Sequence, residues 1–278
     1  MKKERVDVLV YNQGLSETRE KAKRAVMAGL VYDENNLRMD KPGEKVSVET
    51  VLHLKGEGLR YVSRGGLKLE KALKVYEIDM TDKILLDIGS STGGFTDVAL
   101  QHGAKMSYAL DVGYNQLAWK LRQDERVVVM ERTNFRYSKP EDFEQGLPDI
   151  ASIDVSFISL RLILPVLKQI LKSNGEVVAL IKPQFEAGKD LVGKNGVIRE
   201  KSTHRFVLEE MLHFMVSEGY EVTGLDYSPI KGGEGNIEFL AYLKWPGLDQ
   251  GGSAVREIES WASDIVEQAH SELKVKNK

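Results

Sequence analysis

Four charged side chains stand at or inside apolar runs, where charge is uncommon. Lys68 falls in Arg64-Gly65-Gly66-Leu67-Lys68-Leu69, Asp154 follows Ile150-Ala151-Ser152-Ile153, Lys182 follows Val177-Val178-Ala179-Leu180-Ile181, and Glu238 lies inside the apolar run 237–243. Brought together, two ammonium groups and two carboxylates suit a reaction at a weakly acidic hydroxyl: a lysine faces the oxygen that becomes negative, and the carboxylates orient it. Any one of the four is equally well explained as a solvated strand end or a structural ion pair. Their joint occurrence points to a shared role. Lys182 is the residue expected nearest the reacting oxygen, as a neutral base or as a cation. Asp154 and Glu238 are expected to orient it, and Lys68 to oppose its protonation or hold the hydroxyl.

Between Lys68 and Asp154 lies Leu85-Leu86-Asp87-Ile88-Gly89-Ser90-Ser91-Thr92-Gly93-Gly94-Phe95, an apolar run ending in an acid, then a glycine-rich turn and a helix start. A second apolar run, 106–110, ends in Asp111, roughly twenty residues after the loop, where an acid reaches ribose hydroxyls of a nucleoside cofactor. The glycines follow G-x-x-x-G-G rather than the G-x-G-x-x-G that seats a pyrophosphate on a helix N-terminus. This favours S-adenosyl-L-methionine, which has no phosphate, over a dinucleotide. The expected donor-binding set is Asp87, Gly89, Ser90, Ser91, Gly93, Gly94, Phe95, Asp111, Val112 and Asn134. An ordinary βα turn, core packing of Phe95 and a plain turn role for Asn134 are the competing explanations.

These residues need a frame. From residue 83 onward, strand-like runs at 84–88, 106–110, 127–130, 150–153, 177–181, 220–225 and 237–243 alternate with amphipathic stretches such as 160–171 and 203–217, which predicts a doubly wound α/β sheet. In such a sheet the ligand crevice lies at the carboxyl ends of the strands, which places Asp154 and Lys182 beside the loop 89–95. Asp249-Gln250-Gly251-Gly252-Ser253 reads as a linker to a final amphipathic helix, 254–273, with Val255, Ile258, Trp261, Ile265 and Val266 on its apolar face.

The first 74 residues differ in charge. They carry 16 Lys and Arg against 11 Asp and Glu, although the chain has a net charge of −3. Ser16 is expected to cap a helix running to Gly29, with Ala22, Ala25, Val26 and Leu30 buried and Arg19 and Lys23 exposed. Strands are expected at 30–32 and 46–48, with a turn at Pro42-Gly43. The basic residues form two clusters, Arg19, Lys21, Lys23 and Arg24, then Arg60, Arg64, Lys68, Lys71 and Lys74, read either as solvated faces or as phosphate contacts. With 278 residues, 42% of them hydrophobic, the chain can bury a full core, and the absence of cysteine excludes disulfides and thiolate metal sites. The five histidines show no ligand spacing, so no metal is expected. No apolar run approaches a membrane span, and a cytoplasmic protein is expected.

Residues 4–55 resemble an S4 domain, the small RNA-binding module of ribosomal proteins and pseudouridine synthases. The matching residues are Arg5-Val6-Asp7, Ser16-x-x-Arg19, Lys23-Arg24, Gly29-Leu30-Val31 and Lys41-Pro42-Gly43-Glu44-Lys45-Val46. The order Lys68, Asp154, Lys182, Glu238 around the donor loop resembles the K-D-K-E tetrad of FtsJ-like ribose 2′-O-methyltransferases. The whole arrangement, with Ser63-Arg64-Gly65-Gly66-Leu67-Lys68-Leu69, Asp154-Val155-Ser156-Phe157-Ile158-Ser159 and Ile181-Lys182-Pro183-Gln184-Phe185-Glu186, is similar to the TlyA family, often labelled haemolysin A. The resemblance implies a Rossmann-like methyltransferase sheet behind a small α+β S4-like domain, and methylation of cytidine 2′-hydroxyls in ribosomal RNA. Ser-Ser-Thr at 90–92 departs from the proline-containing loop of the general FtsJ family. The expected division is an S4-like domain at 1–59, a linker at 60–64, the methyltransferase domain at 65–248, and a linker and helix at 249–278. Arg5, Arg19, Lys23, Arg24, Lys41, Arg60 and Arg64 are the expected RNA contacts, with ribosomal subunits or ribosomes as partner. A small-molecule methyltransferase, a membrane-active haemolysin and an RNA-binding protein with an inactive enzyme domain are the alternatives.

Overall fold

The computed structural model describes residues 3–33, 37–55, 60–193, 196–232, 235–248 and 258–275. The chain divides into two compact units, Met1–Arg60 and Tyr61–Lys278. The first contains β1 (Lys3–Arg5), α1 (Val6–Asn12), α2 (Arg19–Met27), β2 (Val31–Asp33), β3 (Lys45–Ser47) and β4 (Leu52–Leu54). Its core is small, built from Val6, Leu9, Val10, Ala22, Val26, Val31, Met39 and Leu52. The strands pair antiparallel as β1 with β3 and β2 with β4. Thr18, not Ser16, caps α2, accepting from the Lys21 N–H at 3.2 Å. Ala22 and Val26 are buried as the helical spacing requires, whereas Ala25 and Leu30 are half-buried.

The second unit contains α3 (Gly66–Val75), β5 (Ile84–Ile88), α4 (Gly94–Gln101), β6 (Met106–Leu110), α5 (Trp119–Arg122), β7 (Val127–Met130), β8 (Ile150–Ile153), α6 (Leu164–Leu167), β9 (Gly175–Ile181), α7 (Pro183–Glu186), α8 (Lys201–Ser217), β10 (Glu221–Tyr227), β11 (Phe239–Trp245) and α9 (Ile258–Val275). The unit starts at Tyr61 rather than 65, because Tyr61 is buried with its ring against Gly66 and the Val62 N–H donates to Asp97 Oδ2 at 2.8 Å. Seven strands form one sheet in the order β10-β11-β9-β8-β5-β6-β7, and β11 alone runs against its neighbours. Strands β5, β6 and β8 are buried along their whole length, as expected for parallel strands covered on both faces.

Three expectations shift. The run 160–171 is not one helix: a 3₁₀ turn at Leu160–Leu162 precedes the short α6, since Pro165 removes an N–H donor and fits only the first turn of a new helix. Glu238 is not inside a strand but immediately precedes β11. The final helix belongs to the second unit and packs on α8 and β10 through Ile258, Ala262, Ile265, Val266, Ala269 and Leu273, with His204 and His270 bonded at 2.8 Å between α8 and α9. The expected linker 249–253 and Val255 lie outside the described residues. Among the described residues no helix is long and apolar enough to cross a membrane.

Candidate active site

The chain leaves β5 toward β6 and β7 on one side and returns to β8 and β9 on the other, so the crevice beyond the ends of β5 and β8 is the switch point of the sheet. The two strand ends touch there. The Asp154 N–H donates to the Ile88 carbonyl at 3.0 Å, and a Cβ on Gly89 (φ +86°) would lie 2.7 Å from the Asp154 carbonyl oxygen. Only glycine fits at that approach. A cavity of about 610 Å³ opens at this point.

Lys68 enters from the first turn of α3, which lies against the first turn of α4. A Cβ on Gly94 would meet Ser63 Oγ at 2.4 Å and the Gly66 nitrogen at 2.9 Å, so this contact requires a residue without a side chain. Asp154 and Lys182 follow the carboxyl ends of β8 and β9. Glu238 arrives at the same edge because β11 is antiparallel: Phe239 pairs with Ile181, setting the residues just outside each strand side by side.

The four groups form a chain of alternating charge. Glu238 Oε2 lies 2.7 Å from Lys68 Nζ, Lys68 Nζ is 3.0 Å from Asp154 Oδ2, and Asp154 Oδ1 is 2.6 Å from Lys182 Nζ. Lys182 Nζ also donates to Ser156 Oγ at 3.3 Å. The first and third contacts are within ion-pair distance but off the hydrogen-bonding direction, leaving Glu238 Oε2 and Asp154 Oδ1 with unused acceptor capacity. Lys68 and Lys182 are each 7% exposed and Glu238 2%. Burial opposes the charge on Lys68, yet the carboxylates of Asp154 and Glu238 outweigh it and raise its pKa. Burial likewise pushes Asp154 up, and the two ammonium groups outweigh it and hold the acid below its ordinary value. One expectation is corrected: Glu238 holds Lys68, not Lys182. Lys68 is thus fixed between two carboxylates, while Lys182 has one carboxylate and a hydroxyl.

The donor-binding set divides. Asp87, Gly89, Ser90, Ser91, Gly94 and Phe95 line the cavity, but Gly93, Asp111, Val112 and Asn134 do not. Gly93 faces Leu117 and Leu121 instead. Asp111 fastens two loops, accepting from the Ser91 N–H at 2.8 Å and the Gly113 N–H at 2.7 Å, and it remains half-buried beside the donor loop. Val112 is 71% exposed, and Asn134 caps a 3₁₀ turn by accepting from the Arg136 N–H at 3.2 Å. Asp87 is fully enclosed, accepting from the Thr96 N–H at 3.0 Å and Thr96 Oγ1 at 2.8 Å. Burial pushes its pKa up to about 7, the Thr96 donors offset part of that, and the Asp154 charge adds to it. A buried acid without a cation, facing a cavity of this size, fits a positively charged ligand such as a sulfonium methyl donor. Sequence reasoning missed Ser156, Gln184 and Asn236; Gln184 Oε1 is a buried acceptor without a partner at the cavity wall. Ser156 and Asn236 lie outside regular elements and Gln184 in the four-residue α7, stretches too short or irregular to carry a periodic signal.

The basic clusters also separate. Arg5 donates twice to Asp7, at 2.9 Å each, and Arg19 lies 3.4 Å from the same carboxylate, so both are tied to a structural acid while their guanidinium groups stay partly exposed. Lys23, Arg24 and Lys41 are exposed and unpaired among the described residues, and Arg60 and Arg64 are exposed. Arg64 lines the cavity. Lys68 and Lys71 do not form a phosphate-binding surface: Lys68 belongs to the charge chain, and Lys71 donates to Asp226 and the Tyr227 carbonyl, both at 2.7 Å.

Comparison with known proteins bears on this geometry. Residues 61–245 match the FtsJ-like methyltransferase family. The chain is 62% identical to the Bacillus subtilis protein named "Putative rRNA methyltransferase YqxC", over 99% of this chain and 97% of that one. It is 40% identical to the Mycobacterium tuberculosis "16S/23S rRNA (cytidine-2'-O)-methyltransferase TlyA", over 86% of this chain and 89% of that one. A solved structure described as "Putative hemolysin from Streptococcus thermophilus" superposes with a TM-score of 0.78 at 61% identity, covering 99% of this chain and 98% of that one.

Proposed function

The chain belongs to the FtsJ-like methyltransferase family, and from that premise we propose that it transfers a methyl group from S-adenosylmethionine to the 2′-hydroxyl of cytidine in ribosomal RNA, in the cytoplasm. The observation that carries the reading is the charge chain Glu238–Lys68–Asp154–Lys182 at the mouth of the donor loop. A ribose hydroxyl is a weak acid, and a buried ammonium group lowers the cost of removing its proton. Relatives named for that reaction support the choice of RNA and of cytidine.

Bound at the loop 89–95, the donor supplies an electrophilic methyl on a sulfonium. Asp87 places negative charge behind that loop, Gly89 and Gly94 let backbone come close, and Asp111 offers carboxylate oxygens for ribose hydroxyls. Lys182 would donate an N–H to the 2′-oxygen and stabilise the negative charge that grows there as the hydroxyl proton passes to solvent; the new O–CH₃ bond would replace the donor's S–CH₃ bond, leaving a neutral thioether. Asp154 and Ser156 fix the direction of that N–H. Lys68, locked by Glu238 and Asp154, keeps Asp154 ionised and in place. In-line alignment of hydroxyl and methyl is the main contribution left to the cavity walls. Arg64 at the rim and the exposed Lys23, Arg24 and Lys41 supply phosphate contacts, and the 2′-hydroxyl itself distinguishes RNA from DNA.

The test is transfer of tritium from labelled S-adenosylmethionine to isolated small subunits, large subunits and whole ribosomes. Wild-type protein is expected to fix label in RNA, and Lys182→Ala to fix none while still binding RNA. Label absent from every RNA, despite bound donor, would move the substrate to a small molecule.

A further inference from the structure

A second cavity, of about 440 Å³, lies beside the first, with Val197, Ile198, Arg199, Lys231, Ile237 and His270 in its lining. Lys231 lines both cavities, so they share a wall. Phe239 of β11 pairs with Ile181 at the end of β9, which sets the residues just before β11 at the same edge of the sheet as Lys182.

Three features mark this cavity as a built site. Its charged lining has one sign: Arg199 and Lys231 line it, no acid does among the described residues, and neither cation has an ion-pair partner there. The remaining walls are buried and apolar, from Val197, Ile198 and Ile237, and walls of low dielectric focus the field of the two cations. Finally, the two loops are clasped by buried Asn236, whose Oδ1 accepts from the Ile198 N–H at 3.1 Å and whose Nδ2 donates to the Gly196 carbonyl at 3.0 Å. The Gly232 N–H donates to the Asn236 carbonyl at 2.9 Å. The cations therefore sit on held backbone rather than on free loops. His270 is part of the wall, since its Nε2 is already engaged with His204.

We propose that this cavity is an RNA phosphodiester subsite, in which Arg199 and Lys231 hold the backbone of the strand next to the nucleotide that enters the catalytic cavity. The inference rests on the RNA reading above and extends it by naming where the strand is held. Anchoring the strand beside the target lets binding energy position the reacting hydroxyl.

The experiment is equilibrium binding of purified 16S and 23S ribosomal RNA over a range of KCl concentrations. Each phosphate contact contributes about 0.7 to 0.9 to the slope of log affinity against log salt. Arg199→Gln and Lys231→Gln are each expected to flatten the wild-type slope by about that amount, and Arg199→Lys and Lys231→Arg to restore it. Wild-type slopes in both glutamine variants would overturn the subsite and leave the methyltransferase reading intact. Flattening shared by the charge-preserving swaps would overturn it too, because fold and not charge would then be responsible. Failure of the wild-type protein to bind free ribosomal RNA, isolated subunits and whole ribosomes alike would overturn both.

Discussion

Lys182 and Glu238 make separable predictions because they occupy opposite ends of one charge chain. Lys182→Ala removes the group proposed to face the substrate and is expected to lower the transfer rate by about 10²- to 10⁴-fold, with donor affinity unchanged by calorimetry. Glu238→Ala leaves Lys68 buried with a single partner, and breaking a buried pair costs about 3–5 kcal/mol. That variant is expected to lose stability in chemical denaturation as well as rate. Asp87 gives a pH signature. Its pKa of about 7 means it is neutral below and anionic above that point, so affinity for the cationic donor is expected to rise from pH 6 to 7.5. Asp87→Asn is expected to abolish the rise, and a wild-type affinity flat over that range would contradict the assignment. Asp154 and Lys182 were legible in sequence as charges at the ends of apolar runs, and Lys68 only as a lysine in the glycine-rich stretch 64–69 before the first strand of the sheet. The role of Glu238 was not, because which lysine it holds depends on the antiparallel register of β11, and a pattern of apolar residues does not carry register.

The elements that position these residues were legible to the extent that they are buried on both faces. Strands β5, β6 and β8 have the expected bounds, since fully covered parallel strands read as continuous apolar runs, and the half-buried edge strand β7 also keeps its expected bounds. The helix α3 was not foreseen: a glycine caps it, another opens it, lysines and leucines interleave along it, and it packs against α4. That contact is testable. Gly94→Ala forces a methyl against Ser63 and Gly66 and is expected to cost about 1–3 kcal/mol in denaturation, with a larger fractional loss of activity because Lys68 rides on α3. The α8–α9 contact predicts acid sensitivity. Burial, and then the charge of His270, holds the His204 pKa at about 4 against 6.5. The unfolded chain therefore takes the proton first, and stability present above pH 6.5 is lost as pH falls toward 4, by about 3 kcal/mol. His204→Gln is expected to remove that part of the pH dependence.

At the scale of the whole molecule, charge is divided between the two units. The sheet unit carries the reaction, and the first unit carries exposed Lys23, Arg24 and Lys41 on a core of eight buried apolar residues. The amphipathic spacing of α2 foretold which of its faces is buried, but not that Arg5 and Arg19 would be spent on Asp7. Replacing Lys23 and Arg24 together by alanine is expected to flatten the salt dependence of ribosomal RNA binding by about 1.4 to 1.8 while leaving donor affinity unchanged. The central claim is that methyl goes to a ribose oxygen of cytidine. The measurement that tests it most directly is nucleoside mass spectrometry of ribosomal RNA after incubation with the protein and S-adenosylmethionine. The account predicts a gain of 2′-O-methylcytidine, carried in alkali-resistant dinucleotides and absent with Lys182→Ala. Methyl found on a base, or no gain in any ribosomal RNA, would contradict it.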